Sequence, residues 1–438
     1  MRFLSKKILT AVALGWLLAL CQAGPAWTQD SAAADSSRAG RLQAQIDSLK
    51  ARLDQLEKQP STPARADSTS ELEKLLKEAR QLAPEKAEPE PASARQFKSG
   101  ARSLKDLNPN ISITGEFTFF ASDLDNSAGQ AQAGPEDWTA GPDRFFLREV
   151  ELGLESPLDP FTRGKFFISY GDGEVDVEEG YLEWLNLPAR MNLKLGKFFS
   201  QFGQLNRWHP HAWPQADKPR PLFNLFGGEN FSGEGISADF LLPSVFAQVN
   251  EFTFEVFDPA GEGPLFVNGG LDHLVYLAHL KNYYDLSRST YLEFGISAAA
   301  GRNDSPLNDR SWLGGADLTI KWAPPDRIKY RSVEWRNEMF WSSRDNGGVK
   351  RNAFGGFSSL QAKAGARLVL GGRLDYSQLP LNPDQNEWAA AANLDLWQSE
   401  WVFFRFQYRY TRRSYADSYN AFMFHLVWAM GPHKHETY

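Results

Sequence analysis

Cysteine is nearly missing from this chain. The only one in 438 residues is Cys21, and Leu20 precedes it where a lipidation site needs a small residue. The remainder therefore has no disulfides, no thiol chemistry and no cysteine-built metal centre. Long apolar runs are also lacking. Beyond residue 30 no stretch of about 18 apolar residues occurs, which excludes a helical membrane span. The mean hydropathy of -0.45 suits a soluble protein, or a β-barrel whose strands meet lipid at every second residue. There is no Gly-x-Ser-x-Gly, no phosphate-cradling glycine loop and no His-Glu-x-x-His, so neither an enzyme nor a cofactor is expected. Basic residues are interleaved in strands rather than clustered, which speaks against a nucleic-acid partner.

What is present begins with an export signal. Arg2, Lys6 and Lys7 precede an apolar stretch from Ile8 to Leu20, and Ala23 or Ala26 offers a small residue for cleavage. Residues 1–26 read as a secretory signal peptide. Over 31–60 the residues Leu42, Ile46, Leu49, Leu53 and Leu56 recur at steps of four and three, the seam of a short coiled coil, or else the face of a lone amphipathic helix. Ser70 and Glu73 form a capping box before a second helix to about Leu82. Pro84, Pro89 and Pro91 then make a flexible linker, so 61–105 reads as helix and linker.

From 106 to 438 the texture changes to short alternating segments. Ile111, Ile113, Phe117 and Phe119 oppose Ser112, Thr114, Glu116 and Thr118. Val402, Phe404, Phe406, Tyr408 and Tyr410 oppose Arg405, Gln407 and Arg409. Period-two alternation marks strands with one apolar and one polar face. About sixteen such segments occur. Connections from even to odd segments are short. Those from odd to even are expected to be mostly longer, above all 122–142 and 203–232. Short turns at one end and long loops at the other predict an all-β, transmembrane antiparallel barrel. Its surroundings would be the outer-membrane bilayer, with the N-terminal segment in the periplasm, and the barrel-assembly machinery would insert it.

The segments FFLREVELGLES (145–156), VEEGYLEWLNLP (177–188) and NLKLGKFFSQFG (192–203) resemble the phosphate-selective porin (porin O/P) family. That resemblance implies a trimeric, sixteen-stranded channel, and small polar solutes or ions are expected to diffuse through it. The N-terminal helices, placed in the periplasm, would help trimerise it or hold it to peptidoglycan. The family's phosphate preference rests on pore-lining lysines and arginines. Here 106–438 holds 30 Lys and Arg against 42 Asp and Glu, which predicts weak cation preference or none. The stretch GQLNRWHPHAWPQADKPRPLFNLFGGENFSGEG and the ending WAMGPHKHETY are similar to barrels labelled zinc-related TonB-dependent receptors, yet such transporters need about 22 strands and a plug. A selective channel for phosphate, another anion or a divalent metal is one alternative to a general porin. A closed barrel tethering the membrane to the cell wall is another.

Candidate site residues follow from the alternation. Lys194, Glu334, Arg336, Glu338, Arg367, Arg373, Arg405 and Arg409 fall on the lumen face, either meeting solutes or forming ion pairs, for Arg405 with Asp395. Trp208, Trp213, Phe223, Leu225 and Phe226 would pack the long loop into the barrel as a constriction, or cover a subunit interface. Folded inward, the loop brings Arg207, Asp217, Lys218 and Arg220 to the solute. His209 with His211, and His433 with His435, form two His-x-His pairs able to share a metal such as zinc. Asp217 or Glu229 could complete a site at the first pair. The simpler reading is that these histidines face solvent.

Overall fold

The computed structural model describes residues 109–431 apart from 125–137, 172, 262, 306 and 308. The expected signal peptide, coiled coil and linker, and His433 and His435, lie outside the described residues. Sixteen strands are present among those described. They are β1 (Asn110–Ser122), β2 (Arg144–Pro157), β3 (Thr162–Gly171), β4 (Glu174–Leu187), β5 (Met191–Phe199), β6 (Ser232–Leu242), β7 (Val249–Ala260) and β8 (Val275–Ser287). There follow β9 (Thr290–Arg302), β10 (Arg310–Trp322), β11 (Arg331–Asn346), β12 (Val349–Ala364), β13 (Leu368–Leu379), β14 (Asn382–Trp397), β15 (Val402–Arg413) and β16 (Tyr419–Met430). Each pairs antiparallel with its neighbours in sequence, and β1 pairs with β16 from Ile113↔Met430 to Ser122↔Ala421, closing the ring.

The alternation decides which face turns inward, and polarity is inverted relative to a soluble sandwich. On β15 the buried set is Phe403, Arg405, Gln407, Arg409, Thr411 and Arg413, while Tyr408 and Tyr410 are exposed. On β11 Arg336 and Glu338 are buried, and Trp335, Met339 and Trp341 are exposed. Large apolar side chains face outward on almost every strand. Such a continuous apolar surface suits hydrocarbon rather than water, and closure leaves no unpaired strand edge.

Two expectations change. Three of the odd-to-even connections are tight hairpins rather than long loops, because β4, β12 and β14 start earlier than the alternation suggests. Gly347 and Gly348 join β11 to β12 with φ of 64° and 84°, the conformation that a two-residue turn requires. Arg367 is not in the lumen wall. It lies exposed in the turn between β12 and β13, at the end of the barrel that carries the even-to-odd turns.

The long connection of residues 200–231 leaves the wall where β5 ends at Phe199. Asn206 ties its two ends together: Nδ2 donates to the carbonyls of Ser200 (3.1 Å) and Phe231 (2.9 Å), and Oδ1 accepts from the Phe231 amide (2.7 Å). Within it Arg220–Phe226 forms the helix α1. Pro219 and Pro221 preset its first turn. Gly227 at φ 79° stops it, its amide donating to the Phe223 carbonyl at 2.8 Å.

Candidate functional site

Nearly every residue of this connection is buried, Trp208, Trp213, Leu225 and Phe226 among them. Its partners come from strands all round the ring, which a segment can reach only from inside a closed barrel. Its apolar residues pack on inward-facing Phe257, Leu277, Leu313, Phe340 and Phe357, so the hydrophobic core lies between loop and wall.

The polar attachments begin at the entry to the lumen. The Glu338 carboxylate accepts the amides of Gln204 (3.3 Å) and Leu205 (2.8 Å). The Gln204 side-chain carbonyl accepts Arg336 Nε and Thr319 Oγ1, each at 2.6 Å. Arg336 also stacks on Trp208 at 4.3 Å and pairs with Glu334. Arg207 lies 3.6 Å from Glu293.

On the β13–β15 wall, Asp217 accepts Arg373 Nη2 at 3.0 Å, Arg409 Nη1 and the Gln407 amide, while Arg373 also donates to Asp375 at 2.9 Å. Burial alone would raise the Asp217 pKa, but Arg373 and then Arg409 hold it well below the usual carboxylate range. Arg220 Nε donates to Glu387 at 2.9 Å. Arg405 makes two bonds of 2.9 Å to Asp395 and a third of 2.8 Å to the Trp213 carbonyl. Lys218 donates to the carbonyls of Gly227 (3.2 Å) and Glu229. Lys194 lies 3.6 Å from Asp239 on the next strand. The charged residues singled out from the lumen-facing pattern, Arg367 apart, therefore engage side chains of opposite charge, loop carbonyls or loop amides.

On the opposite wall stand the histidines. His209 and His211 are both buried, at 1% and 2% exposure, which overturns the solvent-facing reading for this pair; turning the loop inward carries them with it. Neither Asp217 nor Glu229 completes the group, since Asp217 is held across the lumen and Glu229 is exposed. Instead His209 Nδ1 lies 2.7 Å from Glu151 and 2.8 Å from Glu178, and its Nε2 lies 3.2 Å from Glu179. His211 Nδ1 is 3.7 Å from Glu151. Burial would depress the His209 pKa, but the Glu151 charge and hydrogen bonds to Glu151, Glu178 and Glu179 hold it well above the ordinary histidine value.

Glu178 and Glu179 are adjacent in sequence yet both face inward. A β-bulge allows this: Phe167 pairs with Glu179 and Ile168 with Val177, leaving Glu178 as an extra residue. A matching bulge on β2 turns Arg148 inward beside Glu149, since Glu116 pairs with Glu149 and Phe117 with Leu147. Bulges re-aim side chains in this way and gather beside functional sites. Strict period two admits only one of two neighbours, so the pattern alone could not place Glu178.

The loop leaves polar cavities on either side. One of about 380 Å³ opens toward the even-to-odd turns and is lined by Arg207, Lys321, Glu334 and Arg405. Another of about 500 Å³ faces the long-loop end and is lined by Arg148, Glu149, Glu178 and Lys218. Trp213 borders both.

The closed sixteen-strand ring is a fold that solved structures of outer-membrane channels share. The outer membrane channel DcaP of Acinetobacter baumannii superimposes with a TM-score of 0.50 at 12% identity, over 74% of this chain and 96% of that one. The anion-selective porin from Comamonas acidovorans gives 0.52 at 9% identity, over 74% and 99%. OprB of Pseudomonas putida gives 0.50 at 9%, over 74% and 94%. These likenesses establish the fold. No family model matches the chain. An uncharacterized protein of Aquifex aeolicus (strain VF5) is 28% identical over 272 residues, 56% of this chain and 57% of that protein. The chain thus matches a little over half the length of that relative.

Proposed function

We propose that the chain is an outer-membrane porin, through which small polar solutes or ions diffuse down their gradients, with the loop of residues 200–231 setting the passage. The observation that carries this reading is the loop itself, fastened inside a closed barrel with cavities lined by charged residues on both sides. The outward apolar surface and the fold shared with outer-membrane channels support the location. Lys194, Glu334, Arg336, Glu338, Arg373, Arg405 and Arg409 form the charged lining, and Arg207, Asp217, Lys218 and Arg220 fix the constriction. Because these cations are matched by acids, and acids are in excess over 106–438, selectivity is weakly cationic or absent. Screening over about 8 Å in physiological salt reduces it further. A homotrimer, insertion by the barrel-assembly machinery and contact of the N-terminal helices with peptidoglycan belong to the same reading.

The number of ties on the loop also favours a second reading, a barrel held shut that serves as a tether to the cell wall. Planar-bilayer recording separates the two. Discrete steps with a near-zero or cation-leaning KCl reversal potential, grouped in threes, are expected of the porin. Strong anion selectivity with phosphate block would overturn the charge argument, and a folded but silent barrel would leave the tether.

A further inference from the structure

We propose that the lumen contains a divalent-cation site of the zinc class, built from Glu149 and Glu151 on β2, Glu178 in the β4 bulge, and His209 and His211 on the loop. Donor atoms of Glu149, Glu151 and His211 all lie within 4.8 Å of one another, as do those of Glu151, Glu178 and His209. Ligands about 2.0–2.2 Å from one zinc ion stand roughly 3–4 Å apart, so small side-chain movements bring either trio onto an ion. Glu151 belongs to both.

Three features point to a cation rather than to protons alone. His209 Nδ1 faces carboxylate oxygens of Glu151 at 2.7 Å and Glu178 at 2.8 Å. A metal ion can take that nitrogen and both oxygens as ligands at once. The His209 and His211 rings stack at 5.7 Å with 20° between their planes. Both rings turn Nδ1 toward the same carboxylate, Glu151, at 2.7 and 3.7 Å. Basic side chains close by have carboxylate partners outside the two trios: Arg148 with Glu116 at 2.9 Å, Lys165 with Glu155 at 3.7 Å and Lys194 with Asp239 at 3.6 Å. Two imidazoles among carboxylates favour zinc and its neighbours over calcium or magnesium, which prefer oxygen alone. The Phe167 and Phe199 rings, 4.6 and 4.9 Å from that of His209, hold the imidazole in place. An ion there would staple the loop to β2 and β4, across the lumen from the Asp217 attachment.

Binding is read directly, without recourse to conduction, so this inference and the porin reading can fail separately. The purified protein, stripped with a chelator and kept in detergent, is titrated calorimetrically with Zn²⁺ alone, and bound metal is counted by mass spectrometry after desalting. One Zn²⁺ per chain is expected in the lumen. H209Q and H211Q should each weaken that binding at least about tenfold while retaining the heat-modifiable gel mobility of a folded barrel. H433Q/H435Q should leave it unchanged. Should one lumen variant fail to form the barrel, the other and E178Q carry the test. Absence of binding to the unsubstituted protein, or loss in H433Q/H435Q alone, overturns the proposal.

Discussion

Asp217 meets two guanidinium groups and an amide where all are buried, and removing its carboxylate would leave Arg409 and part of Arg373 buried without their shared counter-charge. Breaking a buried pair from one side costs about 3–5 kcal/mol. D217A should therefore lower the urea stability of the detergent-folded barrel by that order; a change under about 0.5 kcal/mol would show that the loop is held elsewhere. The pH dependence has a defined sign. The folded-state pKa is depressed below the unfolded value of about 3.9, so the contribution is complete above that value and fades only as the pH falls through the lower, folded one. The stability gap between the parent and D217N should accordingly be equal at pH 7 and pH 5 and close only in stronger acid.

The loop depends on how it enters the lumen. Gly203 adopts φ 64°, and a Cβ there would collide with the Glu338 carboxylate that receives the next two amides. G203A imposes both strain and displacement, costing more than about 1 kcal/mol, and channel records should flicker between levels where the parent is steady. Sequence periodicity located the strands because inverting the barrel does not change the period. It shortened β12 and β14, whose first turns carry Lys350, Arg351 and Asn352, and Pro383, Asp384 and Gln385; beyond the apolar band both faces are polar and the alternation vanishes. The His-x-His spacing was legible, but not its burial. Contacts such as Arg373 with Asp217 join residues 156 apart, and nothing local in either segment encodes them.

The outward belt sets the molecule's solvent. Leu374, in the middle of β13, is 63% exposed, whereas neighbouring Arg373 is sealed inside. L374K should lower the free energy of folding into vesicles by about 2–4 kcal/mol, the range for a cation facing mid-bilayer, with little effect on pore current. An unchanged folding equilibrium would mean that this face meets water or protein instead of lipid.

Ring closure by β1 and β16 also has a consequence in time. The loop follows β5, yet its firmest anchors lie on β13 to β15, with Gln407 190 residues further along than Asp217. A sheet that stops short of β13 lacks the wall that holds Asp217. The loop's last fastenings therefore wait for the closing hairpins, as the lid of a box waits for its last side.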